Sequence, residues 1–263
     1  MPLVTLLTDF GLRDGYVAQM KGVILRRCPK CQIVDLSHLV GRHNIAEGAF
    51  LLESSVPYFP KKSIHIAIID PGVGSRTLPI IVGSKSAILV GPDNGVLSLA
   101  AEKLGVSRAY RIDQSMLGIE DASSTFHGRD IFAVAAAELA NGRPPRSVGR
   151  SLRSIEQLRF PGPKVSNNTV RCAVLHIDTY GNVITNVRND FPVQFLSPSR
   201  LLRVLANGKS LKAKSAKTYS NVGIGELAVL KGSQGYLEVF AREESASELL
   251  GLRASDELVI VAG

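Results

Sequence analysis

Three short stretches of the chain place acids, a guanidinium and an imidazole just past apolar runs. An open α/β sheet presents its ligand-binding residues at such positions, beyond the carboxyl ends of its strands. Thr8-Asp9-Phe10-Gly11 follows the first apolar run. Asp9 either accepts hydrogen bonds from two ribose hydroxyls, a bidentate geometry that suits a carboxylate, or caps the turn that follows. Asp70-Pro71-Gly72-Val73-Gly74-Ser75-Arg76 follows a second run, and its glycines allow backbone to approach a ligand closely. Arg76 either pairs with Asp70 in a structural salt bridge or binds an anion. The stretch lacks the Lys-Ser/Thr ending of a phosphate loop and stands too late in the chain for a dinucleotide fingerprint. Thr125-Phe126-His127-Gly128-Arg129-Asp130 opens an Ala-rich segment. A helix N-terminus favours anions and a neutral imidazole, so His127 reads as a base, a hydrogen-bond donor, a water holder or a plain cap. His38, His43, His65 and His176 have weaker cases, and His65 alternates within a strand as a structural residue would.

The elements that must hold these residues follow from periodicity. Apolar runs at Leu3–Leu7, Ile33–Leu36, Ile64–Ile69 and Ala87–Val90 predict strands, the third buried on both faces. Val17, Met20 and Ile24 share one face of a helix over Tyr16–Arg27. Asn44 is an N-cap for a helix carrying Ile45, Ala49, Leu52 and Val56. A helix closed by Gly105 follows the fourth strand, and Arg129–Asn141 is an Ala-rich helix ending at Gly142. This alternation predicts an α/β domain over residues 1–160 with a mostly parallel sheet. Phe160-Pro161-Gly162-Pro163 and Ser166-Asn167-Asn168 mark a linker over 161–168. Short strand signals then dominate residues 169–263, at Thr169–Ile177, Val183–Val187, Glu226–Leu230, Tyr236–Ala241 and Glu257–Val261, and predict a small all-β, barrel-like domain.

Composition narrows the classes. With 263 residues and 45% hydrophobic content, the chain buries a core without disulfide staples. No run approaches the ~20 apolar residues of a membrane helix, and the start reads as a buried strand rather than a signal peptide. The three cysteines suit a reducing, cytoplasmic setting. Cys28 and Cys31 form a Cys-x-x-Cys with no second pair to complete a zinc site, so ordinary thiols at a helix end are expected and no metal. Cys172 reads as core. The net charge of +8 permits nucleic-acid binding. The basic cluster of Arg200, Arg203, Lys209, Lys212, Lys214 and Lys217, however, has only Tyr219 nearby as an aromatic, which makes it a solvated loop or helix face rather than a stacking platform.

With Ile177-Asp178-Thr179-Tyr180-Gly181-Asn182 added, four motifs occur in the order and spacing of one family. The chain resembles the S-adenosylmethionine hydroxide adenosyltransferases, relatives of the fluorinase and chlorinase, over nearly its whole length. The resemblance implies a homotrimer in which the N-terminal domain of one subunit and the C-terminal domain of its neighbour complete each site. It implies attack of water or hydroxide on the ribose 5′-carbon of S-adenosylmethionine, giving adenosine and L-methionine without a cofactor. Asp70, Arg76 and His127 match the family's water-activating set, and Asp9 the position that holds the ribose hydroxyls. Phe126 packs near the nucleoside on this reading. Asp178 and Asn182 match positions that bind the amino-acid end of methionine and nearby polar groups. Tyr180 lines the pocket, and Ser233 lies near the methionine carboxylate. The fluorinase has Tyr at the positions of Asp70 and His127 and Ser at that of Gly128. A carboxylate beside a halide site repels the halide, so the resemblance implies water as nucleophile here. Two positions depart from the pattern. Arg242-Glu243-Glu244-Ser245-Ala246 stands where relatives carry an Asn and a Gly-Ser-Ala-like loop near adenine, and His43 stands where the fluorinase has Trp. The altered loop motivates an alternative, a nucleoside-binding regulatory module with little turnover.

Overall fold

The computed structural model describes residues 1–158, 162–166, 168–191, 197 and 199–263. The chain divides into two compact units, Met1–Arg159 and Phe160–Gly263. Phe160, Pro161 and Asn167 of the expected linker lie outside the described residues. Within that linker span, Lys164–Val165 is a short strand rather than coil.

Unit 1 is a seven-stranded sheet built from β1 (Leu3–Thr8), β2 (Gln32–Ser37), β3 (Ser63–Ile68), β4 (Pro79–Gly83), β5 (Ala87–Pro92), β6 (Arg108–Ile112) and β7 (Gly149–Leu152), in the order β2-β1-β3-β5-β4-β6-β7. β1 runs parallel to β2 and β3, and β3 parallel to β5. β4, β6 and β7 are joined antiparallel, so the sheet is only partly parallel, contrary to expectation. The reason is connection length: a parallel crossover needs a dozen or more residues, and only Ser84-Lys85-Ser86 separates β4 from β5.

Helices α1 (Tyr16–Arg27), α2 (Ile45–Ser55), α3 (Ser98–Leu104) and α4 (Ala133–Ala140) cover the sheet. Alternate strand residues face two separate cores. Val4, Leu6, Ile64 and Ile66 pack with Val17, Met20 and Ile24 of α1 and the alanines of α4. Leu7, Ala67 and Ile69 pack instead with Leu52 of α2 and Ala100 and Ala101 of α3. α1 and α2 therefore leave the sheet on opposite faces, and β1 stands between β2 and β3. That reversal is the switch point at which an α/β sheet opens a crevice beyond its strand ends. α2 has the expected cap, Asn44 Oδ1 accepting from Glu47 N at 3.2 Å. The Ala-rich helix departs from expectation in its first turn, because Gly128–Phe132 is π-helical and α-helix begins at Ala133. Cys28 and Cys31, read above as thiols, are joined in a disulfide at the C-terminal end of α1, and both are buried.

Unit 2 comprises β8 (Lys164–Val165), β9 (Thr169–Ile177), β10 (Val183–Arg188), β11 (Leu201–Ala206), β12 (Lys209–Ser215), β13 (Leu227–Lys231), β14 (Tyr236–Ala241), β15 (Glu257–Ala262) and one short helix, α5 (Ala246–Leu250). The order β10-β14-β13-β12-β11-β15-β9 is closed by pairing of β9 with β10, giving a seven-stranded barrel with β8 appended to β9. Of the basic cluster, Arg200 and Lys217 lie in loops as expected, but the rest is on strands. Those strands form the β11–β12 hairpin, whose buried Leu202, Val204, Ala206 and Ala213 alternate with outward Arg203 and Lys212. Asn207 and Gly208 form its two-residue turn with φ of 49° and 75°, the left-handed geometry that such a turn requires. Lys214 pairs with Glu226 at 2.9 Å, and Lys209 Nζ donates to Leu249 O at 2.7 Å, so part of the cluster's charge is matched within the barrel.

His65 is structural, as its alternation suggested. It is fully buried on β3, with Nδ1 2.9 Å from Thr5 Oγ1 and Nε2 without a partner among the described residues. Burial lowers its pKa from 6.5 to about 4. The folded state therefore favours the neutral ring. The stability this contributes is complete above pH 6.5 and is lost as pH falls toward 4, on the order of 3 kcal/mol in all. Denaturant titrations at pH 7 and pH 5 should show a steeper loss for the native chain than for His65→Gln, and parallel losses would remove this assignment.

Candidate functional site

The carboxyl ends of β1, β2 and β3 emerge on one edge because these strands are parallel. Asp9 leaves β1 there and Asp70 leaves β3. Asp9 Oδ2 accepts the His43 N–H at 2.9 Å, and Gly11 turns the chain with φ 71°. Asp70 is half-buried, and its Oδ1 accepts the Gly72 N–H at 3.1 Å. Burial raises the Asp70 pKa and the negative charge of Asp9 adds to the rise, while the Gly72 N–H and His127 oppose it. Asp70 thus lies within electrostatic reach of both Asp9 and His127, residues of two other motifs.

The Asp70–Arg76 loop packs against the segment before α4. Gly74, with φ 76°, approaches it so nearly that a Cβ there would stand 2.6 Å from Ser124 O. Asp130 Oδ2 accepts from Ser123 N at 3.0 Å, and Arg129 Nε donates to Asp130 Oδ1 at 2.6 Å. The Arg129 hydrogen bond holds the Asp130 carboxyl below its usual range, against its partial burial. Arg129 also stacks 5.1 Å from the Phe126 ring centre. Phe10, Tyr16 and Phe126 form an edge-to-face cluster with centroids 5.2–5.9 Å apart. Gly128 fits beneath it, since a Cβ would meet Phe126 at 3.1 Å. The π-turn beginning at Gly128 follows His127 directly, and such turns recur at functional sites. Arg76 is exposed and has neither an ion pair nor a side-chain hydrogen bond among the described residues, so the salt bridge to Asp70 is not formed.

In unit 2, Asp178, Tyr180 and Asn182 border a cavity of about 840 Å³. Asp178 Oδ1 accepts from Tyr180 N and Asn182 N, and Oδ2 from Asn182 Nδ2, all at 2.9 Å. The carboxylate therefore builds its own turn and leaves Tyr180 81% exposed at the rim. Ser233 is not part of this lining. It is exposed in the turn between β13 and β14.

Two residues not singled out above belong here. Tyr219 lines the cavity, donates from its hydroxyl to Glu238 Oε1 at 2.7 Å and packs edge-on to Phe240. Glu238 is buried, and its pKa is raised by that burial, opposed by the Tyr219 hydrogen bond and reinforced by Asp178. The signal was an acid inside the apolar run Tyr-Leu-Glu-Val-Phe-Ala. The Arg242-Glu243-Glu244 segment also lines the cavity, which makes the rim acidic: Asp178, Glu243 and Glu244 against Arg242. Ser247 N donates to Gly181 O at 3.0 Å, which ties the start of α5 to the Asp178 turn. Among the described residues no three His, Cys, Asp or Glu side chains gather as a metal site.

Acids and an imidazole gathered at a topological switch point, in a chain that also carries a closed β-barrel with an acidic cavity, define a two-domain α/β plus β-barrel protein with a polar site in each unit. The chain belongs to the S-adenosylmethionine (SAM) hydroxide adenosyltransferase family: residues 4–149 match its N-terminal domain and residues 172–259 its C-terminal domain. It is 36% identical to the (R)-S-adenosyl-L-methionine hydrolase of Methanocaldococcus jannaschii, over 99% of this chain and 96% of that protein. It is 28% identical to the fluorinase of an Actinoplanes species, over 90% of this chain and 89% of that protein. A crystal structure of an uncharacterized conserved protein from Thermotoga maritima superposes with a TM-score of 0.92 at 36% identity, covering 98% of this chain and 99% of that one.

The contact between the Asp70–Arg76 loop and Ser124 makes Gly74 a sensitive position. Gly74→Ala combines a left-handed φ with the clash at Ser124 O, and should cost about 1–3 kcal/mol in urea denaturation. An unchanged midpoint would show that the two loops do not meet in this way.

Proposed function

We propose that the protein hydrolyses S-adenosyl-L-methionine to adenosine and L-methionine. The observation that carries the reading is the exit of Asp9 and Asp70 from parallel neighbours β1 and β3 at the switch point, with His127 within electrostatic reach of Asp70, in a chain whose full-length relatives include a named SAM hydrolase. Water attacks the ribose 5′-carbon, a C–O bond forms, and the C5′–S bond breaks with its electron pair passing to sulfur. The leaving group is a neutral thioether, so no acid need protonate it. The work left to the protein is to hold the nucleoside, align the water and accept its proton. In-line alignment in well-oriented systems is worth on the order of 7–11 kcal/mol.

Asp9 holds the ribose hydroxyls and Phe126 packs near the nucleoside, with Gly128 giving the room beside it. Asp70 and His127 orient the water and take its proton, and Arg76, exposed with no partner of its own among the described residues, offsets the developing hydroxide charge. Asp178, Tyr180 and Asn182 receive the methionine end. Ser233 serves the carboxylate of that end from its turn. The acidic cavity suits a ligand that carries both a sulfonium and an ammonium. The protein works as a homotrimer without cofactor or metal, each site combining one subunit's α/β unit with its neighbour's barrel.

Incubation with SAM should yield adenosine and methionine in equal amounts by chromatography. In molar chloride no 5′-chloro-5′-deoxyadenosine should form, and abundant chlorinated product would overturn water as nucleophile. Asp70→Ala and His127→Ala should each lower kcat by at least about a hundredfold with little change in KM. The raised Asp70 pKa places the acid limb of the pH–rate profile above the range of an ordinary carboxylate, because activity is lost as Asp70 gains a proton. Binding of SAM without turnover would favour the regulatory alternative.

The shared site has its own test. Asp70→Ala and Asp178→Asn subunits, each inactive alone, should recover about a quarter of native activity when unfolded together and refolded at equal ratio. That fraction is the share of sites with both halves intact in a randomly mixed ring. Recovery no greater than the sum of the parents would place both halves in one subunit.

A further inference from the structure

We infer that His38, at the exit of β2, is a positioning residue that sets the carboxylate of Asp9 for the ribose hydroxyls; the inference rests on the ribose-binding role proposed for Asp9. The side chain of His38 is 2% exposed and forms the centre of a chain of polar contacts running from the surface to the Asp9 loop. Lys21 Nζ lies 2.6 Å from Asp35 Oδ2, and Asp35 Oδ1 lies 3.1 Å from His38 Nε2. This last contact has the length of a hydrogen bond but not the alignment, leaving Nε2 without a formal partner, and it acts as an electrostatic contact. Burial raises the Asp35 pKa, but the contacts with Lys21 and His38 together outweigh it and hold the carboxyl below its usual value. An acid beside Nε2 keeps the ring proton on that atom and leaves Nδ1 as the acceptor. Nδ1 stands 2.9 Å from Thr8 Oγ1, and Thr8 Oγ1 in turn accepts the Phe10 N–H at 3.2 Å. The hydroxyl thus donates to His38 and accepts from the residue after Asp9.

Three bonds then fasten the exit of β1 to the exit of β2. They are Thr8 to His38, Gly11 N to His38 O at 2.8 Å, and His43 N to Asp9 Oδ2 at 2.9 Å. Asp9 sits in the middle of this clamp. Its Oδ2 is held by His43, while Oδ1 has no partner among the described residues and faces no competing donor. Two ribose hydroxyls demand a carboxylate of fixed plane, and on an exposed turn only the backbone on either side can fix it. Thr8 is fully buried, so without His38 its hydroxyl would lose the acceptor for its proton, and the turn could relax to find another.

The test compares adenosine with 2′,3′-dideoxyadenosine by isothermal titration calorimetry. The native protein should prefer adenosine. His38→Ala should weaken adenosine binding about tenfold and leave dideoxyadenosine binding unchanged, the loss of one buried hydrogen bond felt only through the diol. His38→Asn, which keeps an acceptor near the place of Nδ1, should restore most of the preference. Thr8→Val, nearly isosteric, should reproduce the loss without opening a cavity. Equal weakening of both nucleosides, or a preference retained in His38→Ala and Thr8→Val, overturns the positioning role while leaving the ribose site standing. A native protein indifferent to the two hydroxyls overturns the ribose site and this inference together.

Discussion

Two carboxylates brought to one edge of the sheet, Asp70 within electrostatic reach of Asp9, are the constraint on which unit 1 turns. Asp9 and Asp70 leave parallel neighbours β1 and β3 at the same edge, and the charge of Asp9 adds to the cost of ionising the half-buried Asp70. Such a pair is unfavourable in an empty crevice unless hydrogen bonds compensate it. The fold supplies them from backbone: His43 N–H for Asp9 and Gly72 N–H for Asp70. The glycines follow from the same requirement. Gly11 and Gly74 turn the chain with positive φ so that it can bend back toward the acids, and Gly74 does so against Ser124. The helices are arranged around this edge as well, because only their departure to opposite faces leaves space above β1 and β3.

Unit 2 repeats the theme with different means. A closed barrel has no free sheet edge to protect, so the turns at its rim are available for binding. Asp178 uses its carboxylate oxygens to build the turn that carries Tyr180 and Asn182. The buried Glu238 lies behind, satisfied by Tyr219. The result is an acidic cavity in a chain whose net charge is +8. Bulk charge and site charge therefore point in opposite directions. The site decides which ligand binds, since exposed lysines act on the approach of a ligand through water and salt while the cavity acts at contact.

Much of this was legible in the sequence, and the misses have physical causes. Buried strands such as Ile64–Ile69 and amphipathic helices such as Tyr16–Arg27 announce themselves, because burial on two faces or on one stripe dictates residue type. β6 and β7 carry little strand signal because charged and small residues interrupt them, whereas β4 holds the apolar run Ile80-Ile81-Val82 and only three residues part it from β5, a spacing that requires a hairpin. The Asn207-Gly208 turn is an equally plain sign of the β11–β12 hairpin, though the lysines around it dilute the apolar alternation of both strands. In the site, Asp9, Asp70 and His127 are marked by their place just past apolar runs, where each has a structural alternative as well as a functional one. Tyr219 and Glu238 did not, since their pairing spans 19 residues and depends on barrel closure. The Cys28–Cys31 disulfide turned on proximity at a helix end, which an odd cysteine count obscured.

On the proposed reaction, the acids also explain how a site that binds a cation lets its products go. SAM brings a sulfonium charge that relieves the repulsion between Asp9 and Asp70, and favourable Coulomb energy strengthens as water is excluded. Cleavage removes that charge, for the sulfur leaves as a thioether and adenosine is neutral. The proton released from water takes its place beside the carboxylates, and Asp70, whose burial already favours the protonated form, is the group best placed to hold it. The crevice thus passes during turnover from a cation-stabilised acid pair to a proton-stabilised one. Products lacking the cation have less to hold them, and loss of the proton to solvent restores the acid pair for the next substrate.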